Sequence, residues 1–142
     1  SEAEIAEATV ILLSFVRTQG MNCENKMFGN TPLSEIRWDS NLYQAAQAHS
    51  NDMVRNGFFG HQGSDGSRVR DRVNRTNWTG GSLAESTGRG YATVGEVLVG
   101  LLESTPHCRI MLYPSFSFTG LACTPSGGRI TDDHWTHVMG RR

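Results

Sequence analysis

The apolar residues of this 142-residue chain change their spacing part-way along, and that change limits what the chain can fold into. Up to about Pro106 they recur at helical intervals; from Phe116 onward they alternate. A period near 3.6 marks an amphipathic helix and a period of 2 a half-buried strand. Ser1 to Thr18 carries Ile5, Ala8, Leu12 and Phe15 (with Val16) at helical spacing behind Glu2, Glu4 and Glu7. Acidic residues suit the positive end of the helix dipole, and Gly20 suits the stop. A second helix is expected from Asp39, which is placed to cap it, with Leu42, Ala45, Ala46, His49, Met53 and Val54 on one stripe and Asn56-Gly57 at its end. Ser67 to Val73 suits a short helical turn. Thr93-Val94-Gly95-Glu96 forms a capping box ahead of Val97, Leu98, Leu101 and Leu102, and Pro106 is expected to stop this third helix.

The last third reads differently. Phe116, Phe118, Gly120 and Ala122 alternate with Ser117, Thr119 and Leu121, and Gly127-Gly128 turns the chain. A second strand is expected within Arg129 to Met139, carrying Trp135 and Val138. Met21 to Pro32 and Arg75 to Ser82 read as polar loops. Helices first and an antiparallel hairpin last make an α+β sandwich, with residues 1–142 as one domain and no repeat or linker.

Charge narrows the partners. Thirteen basic and fourteen acidic residues leave a net charge of −1. The densest basic stretch, Arg68, Arg70, Arg72 and Arg75, is interrupted by Asp71, which argues against a nucleic-acid partner. The longest apolar run, Val10 to Leu13, is far short of the roughly 20 residues of a membrane span. No basic leader with a cleavage site is visible, so a signal peptide is either absent or already removed.

Three cysteines, Cys23, Cys108 and Cys123, lack the CxxC spacing of a structural zinc site. A Cys23–Cys108 bridge, a Cys108–Cys123 bridge and a reduced chain all fit the count. Of the five histidines, His49 lies on the apolar stripe of the second helix and reads as a core or boundary residue. His134 and His137 fall on opposite faces of the last strand and read as surface or supporting residues. His61 and His107 stand where helical patterns end, and both are expected in loops. No HExxH zinc motif is present.

Several blocks in order resemble the CAP superfamily, which includes class 1 pathogenesis-related and sperm-coating proteins, and most of all its compact secreted bacterial branch. They are Pro32-Leu33 with Arg37-Trp38-Asp39 through Asp52-Met53; FFGHQGSDGS (58–67) with Arg72; and Ala84-Glu85 with Gly90-Tyr91-Ala92-Thr93. Glu103 to Arg109 with Met111 and Pro114, and HWTHVMG (134–140), complete the series across residues 32–140, behind the N-terminal helix of residues 1–20.

The resemblance implies a three-layer α-β-α sandwich with a mainly antiparallel central sheet. It also implies a secreted monomer whose signal peptide has been removed, a Cys23–Cys108 bridge with Cys123 unpaired, and a cleft of histidines and glutamates. Carried over by position, the cleft residues are His61, His107 and Glu85. The family's second glutamate falls at Ser104, and the neighbouring Glu103 points about 100° away along a helix. Two imidazoles and a carboxylate suit an open zinc site or one for another divalent metal. They also suit a base tuned by the carboxylate, or a purely structural network. Ser86, beside Glu85, has no glycine-flanked elbow and is a poor nucleophile candidate. The leading reading is therefore a secreted binding module for a lipid, sterol or protein. A metal- or water-dependent protease using the same cleft is the alternative, and a scaffold with an inactive cleft is the third.

Overall fold

A computed structural model describes residues 1–128 and 132–142 of the chain. Helix α1 (Glu2–Thr18) is followed by strand β1 (Arg37–Trp38), helix α2 (Ser40–Asn56) and helix α3 (Val69–Asn74). Strand β2 (Leu83–Arg89), helices α4 (Val94–Glu103) and α5 (Thr105–Met111), and strands β3 (Phe118–Thr124) and β4 (His134–Gly140) complete the fold. The sheet runs β1-β3-β4-β2. Its β3–β4 and β4–β2 pairs are antiparallel, but β1 pairs parallel with β3, so the sheet is mixed.

Helices cover both faces. Leu13 and Val16 of α1, Val97, Leu98, Leu101 and Leu102 of α4, and Cys108 and Met111 of α5 pack with Leu121, Trp135 and Met139. On the opposite face, Leu42, Ala45 and Ala46 of α2 and Val73 of α3 pack with Ala122 and Val138. The α-β-α sandwich stands. With both faces covered, every residue of β4 is buried, and the hydrophobic alternation expected of a half-solvated strand is lost.

The caps form as their residues require. Asp39 Oδ1 accepts from the N–H groups of Asn41 and Leu42 at 2.8 and 3.1 Å, and Gly57 ends α2 at φ 67°. Thr93 Oγ1 accepts from Glu96 N–H at 3.1 Å, while Glu96 Oε2 accepts from Ala92 N–H at 2.9 Å.

Three expectations need correction. Pro106 does not simply stop α4: it occupies the first turn of α5, where a missing N–H costs nothing, so His107 is helical rather than in a loop. The α1 stripe is rotated by one residue, because Thr9, Leu13, Val16 and Arg17 are buried while Ala8 and Phe15 are exposed. His134 and His137 do lie on opposite faces, but both are buried rather than superficial, since helices cover each face. Strands β1 and β2 had no separate sequence signal. The second hairpin strand, expected within Arg129 to Met139, runs His134–Gly140 and carries Trp135 and Val138; Arg129 to Thr131 lie outside the described residues.

Arg17 explains the rotation of α1. Its guanidinium is fully buried and pairs with no carboxylate among the described residues; it donates instead to the carbonyls of Ser34, Met111, Tyr113 and Phe116 at 2.8–3.2 Å. Met111 ends α5, so Arg17 places a cation at the negative end of that helix. The Cys23–Cys108 disulfide joins the loop after α1 to α5, and Cys123 is free.

Candidate functional site

The turn after α2 is built by its own polar groups. Gly63 N–H donates to the Ser67 carbonyl at 2.8 Å, and Gly66 takes φ 84°. Asp52 of α2 anchors the turn by accepting from both the N–H and the hydroxyl of Ser64, at 2.8 and 2.6 Å. His61 is thereby presented at the surface, with about half of its side chain exposed.

Glu85, buried on β2, receives it. His61 Nδ1 lies 3.0 Å from Glu85 Oε1, and Arg72 of α3 donates from Nη2 to Glu85 Oε2 at 2.6 Å. The same Nη2 reaches the His61 carbonyl at 3.1 Å, and Nη1 donates to the Ser67 carbonyl at 2.9 Å. Arg72 therefore fixes the carboxylate and the turn together. A carboxylate bound to Nδ1 makes that nitrogen the protonated one and leaves Nε2 of His61 as the outward acceptor. His49 supports the cluster from beneath: its Nε2 donates to the Gly60 carbonyl at 2.6 Å and lies 3.8 Å from Glu85 Oε1. Burial lowers the His49 pKa, against the opposing pull of the Glu85 charge, so the ring is neutral near pH 7.

His107 is held elsewhere. Its Nδ1 pairs with Ser104 Oγ at 3.0 Å, and among the described residues it forms no hydrogen bond or ion pair with His61 or Glu85. Glu103 is exposed at the end of α4. Ser86 is buried on the opposite sheet face from Glu85, beside His137 in the pairing register, and its hydroxyl has no hydrogen-bond partner among the described residues. A three-ligand metal set does not fit this arrangement. Both Glu85 oxygens are occupied, one of them by a guanidinium, and among the described residues no three His, Cys, Asp or Glu side chains converge.

Beside the turn is a cleft of about 300 Å³, lined among others by Met53, Phe58, Phe59, Arg89 and His134. Phe59 meets the His134 ring edge-on at 5.8 Å, and Arg89 pairs with Asp132 at 3.1 Å. Sequence reasoning left Arg89 unmentioned and His134 outside the site. No local signal marked either residue, because the cleft brings the end of α2 together with the ends of β2 and β4.

The profile of the cysteine-rich secretory protein family, CAP, matches residues 21–139. The chain belongs to the CAP family. Two solved structures share the fold of this CAP domain at TM-score 0.77. One is an extracellular protein containing an SCP domain from Bacillus anthracis, 21% identical, matched over 99% of this chain and 41% of its own length. The other is an outer surface protein from Borrelia burgdorferi, 15% identical, matched over 100% of this chain and 96% of its own. A manganese-bound Ancylostoma-secreted protein is more distant, with 12% identity, TM-score 0.58, and 100% of this chain matched to 71% of its own. Among curated proteins none matches the chain. This CAP domain thus spans less than half the Bacillus protein but nearly the whole of the Borrelia one.

Proposed function

We propose that this CAP domain acts outside the cell as a binding module for an amphipathic ligand of the lipid or sterol class, held in the cleft beside His61. The observation that carries the reading is the lining of that cleft, where Phe58 and Phe59 meet Arg89 and His134. Aromatic rings suit an apolar body, and the guanidinium and imidazole suit an oxygen-bearing head. His61, two residues beyond Phe59, adds an exposed hydrogen-bond acceptor held rigid by Glu85 and Arg72. A volume of about 300 Å³ is at the lower end of small-ligand sites, so part of the ligand lies against the surface.

The Cys23–Cys108 disulfide supports the extracellular half of the reading, because such bridges are favoured in oxidising compartments and rare in reducing ones. Binding is favoured over hydrolysis by the state of Glu85, whose carboxylate is occupied by Arg72 and His61. Metal plays no part in this reading, since a cation at Glu85 would have to displace the Arg72 guanidinium.

Titration with a fluorescent sterol and a fluorescent fatty acid tests it. At least one probe should bind, and Phe59→Ala should weaken it about tenfold, or ~1.4 kcal/mol. A native protein that binds neither, or a variant that binds equally well, overturns the proposal. Calorimetry with zinc should show no difference between the native protein and His61→Ala/His107→Ala; tighter native binding would reinstate the metal site.

A further inference from the structure

We infer that the free edge of β2 is a docking site for an extended, acidic peptide segment of another protein, which would add to the sheet as a further strand. Strand β2 is the last of its sheet, paired on one side only, with β4. Which of its residues face outward follows from the ladder. Gly90 N–H donates to the Asp133 carbonyl at 2.9 Å, and Arg141 N–H donates to the Ser82 carbonyl at 3.0 Å. In an antiparallel pair the residues that exchange main-chain hydrogen bonds alternate. Ala84, Ser86 and Gly88 therefore bond inward to β4, and Leu83, Glu85, Thr87 and Arg89 turn their N–H and C=O groups away from it. Among the described residues those outward groups have no main-chain partner.

An unpaired row of this kind is complementary to one chemical object, an extended backbone. The surrounding charge selects among such backbones. At the start of β2, Arg70 Nη2 donates to the Gly81 carbonyl at 2.6 Å, and the Arg141 guanidinium lies beside Gly81. Both arginines are exposed, as is Arg68, and none of the three forms an ion pair among the described residues. Asp71, the acidic residue that follows Arg70, accepts the Arg68 main-chain N–H at 2.9 Å. At the other end stands Arg89, paired with Asp132. A second copy of this chain is a poor occupant. Antiparallel pairing of two β2 strands would set Arg89 of one copy against Arg70 and Arg141 of the other, and like charges opposed across a pair are destabilising. A partner with carboxylates at the Gly81 end gains where self-pairing loses. The site uses main-chain groups and meets the cleft proposed for the lipid-like ligand at Arg89, which lines that cleft.

The test uses the intact protein and a fluorescein-labelled peptide of alternating glutamate and valine. Anisotropy should report binding, and hydrogen exchange should show new protection at the amides of Leu83, Glu85, Thr87 and Arg89. The amides of Ala84, Ser86 and Gly88 should be slow already. Thr87→Pro removes one outward N–H without touching the β4 ladder, and should weaken the peptide at least tenfold. Retained protection at Ala84 and Ser86 verifies that this variant is folded. Should it unfold, Arg70→Glu/Arg141→Glu takes its place, and should lose the acidic peptide while gaining one of alternating lysine and valine. The proposal is overturned by no binding up to ~1 mM, by equal binding to folded Thr87→Pro, or by self-association that protects the outward amides without peptide.

Discussion

Arg72 is the residue on which the arrangement around His61 depends. Its guanidinium neutralises Glu85 and ties down the carbonyls of His61 and Ser67, all within a buried environment. Removing one partner of a buried ion pair leaves the other charge without compensation, at a cost of about 3–5 kcal/mol. Arg72→Met should therefore lower the unfolding free energy read from urea titration by that amount, and Arg72→Met/Glu85→Gln should recover a measurable part. Equal loss in the single and double variants would show that the carboxylate is not the reason. Cys123 makes a second prediction at this scale. Burial, with Asp133 nearby, pushes its thiol up to about 11, so little thiolate exists at pH 8. Alkylation of native Cys123 should be much slower than in urea, as read by mass spectrometry. Neither residue's state was legible beforehand. Arg72 appeared only as one letter of a motif, because the residues that give it a role come from a loop and a strand distant in sequence.

At the scale of elements, α2 lies so close to β3 that a single hydrogen decides the contact. A Cβ on Gly120 would stand 2.3 Å from the Tyr43 main-chain nitrogen, which a backbone cannot relieve by changing rotamer. Gly120→Ala should cost about 3 kcal/mol in thermal unfolding. Gly60→Ala, where nothing lies within 4 Å, should change little. The helices α2 and α4 were readable because caps and stripes are local: Asp39, Gly57, Thr93 and Glu96 act on main-chain groups within a few residues. By contrast β2 was invisible, because its two buried faces leave it no alternation and Glu85 sits mid-strand for the sake of a partner on α3. The face of α1 was misjudged for the same reason. Arg17 looks like a solvent-facing residue until the carbonyls of α5 and the 113–116 segment are brought to it.

For the whole molecule, the disulfide and two buried histidines set the conditions of stability. The bridge closes a separation of 85 residues, for which chain entropy gives about 4–5 kcal/mol. Adding reductant, or Cys23→Ser, should lower stability by up to that amount. Burial pushes the His137 pKa down to about 4, in the same direction as His49. A depressed native pKa means that the unfolded chain, with an ordinary value near 6.5, takes up protons first as pH falls. Stability is then greatest above about pH 6.5 and declines towards pH 4, by on the order of 3 kcal/mol for His137. Urea titrations across that range should show the slope, and His137→Gln should flatten it. A native protein equally stable at pH 4 and pH 7 would contradict the burial argument.

The sequence by itself determined the helices whose caps are local, the closing hairpin, the α+β class and the family, because each depends on residues that are neighbours along the chain. Tertiary structure alone decided that Arg72 joins His61 and Glu85, which the family resemblance sets in one cleft, that His49 supports them, and that His107 bonds to Ser104. It also decided that His134 faces the aromatic cleft. Those outcomes depend on strand register, on which face of α1 turns inward, and on α5 starting at Pro106, and each is set by packing between segments far apart in sequence.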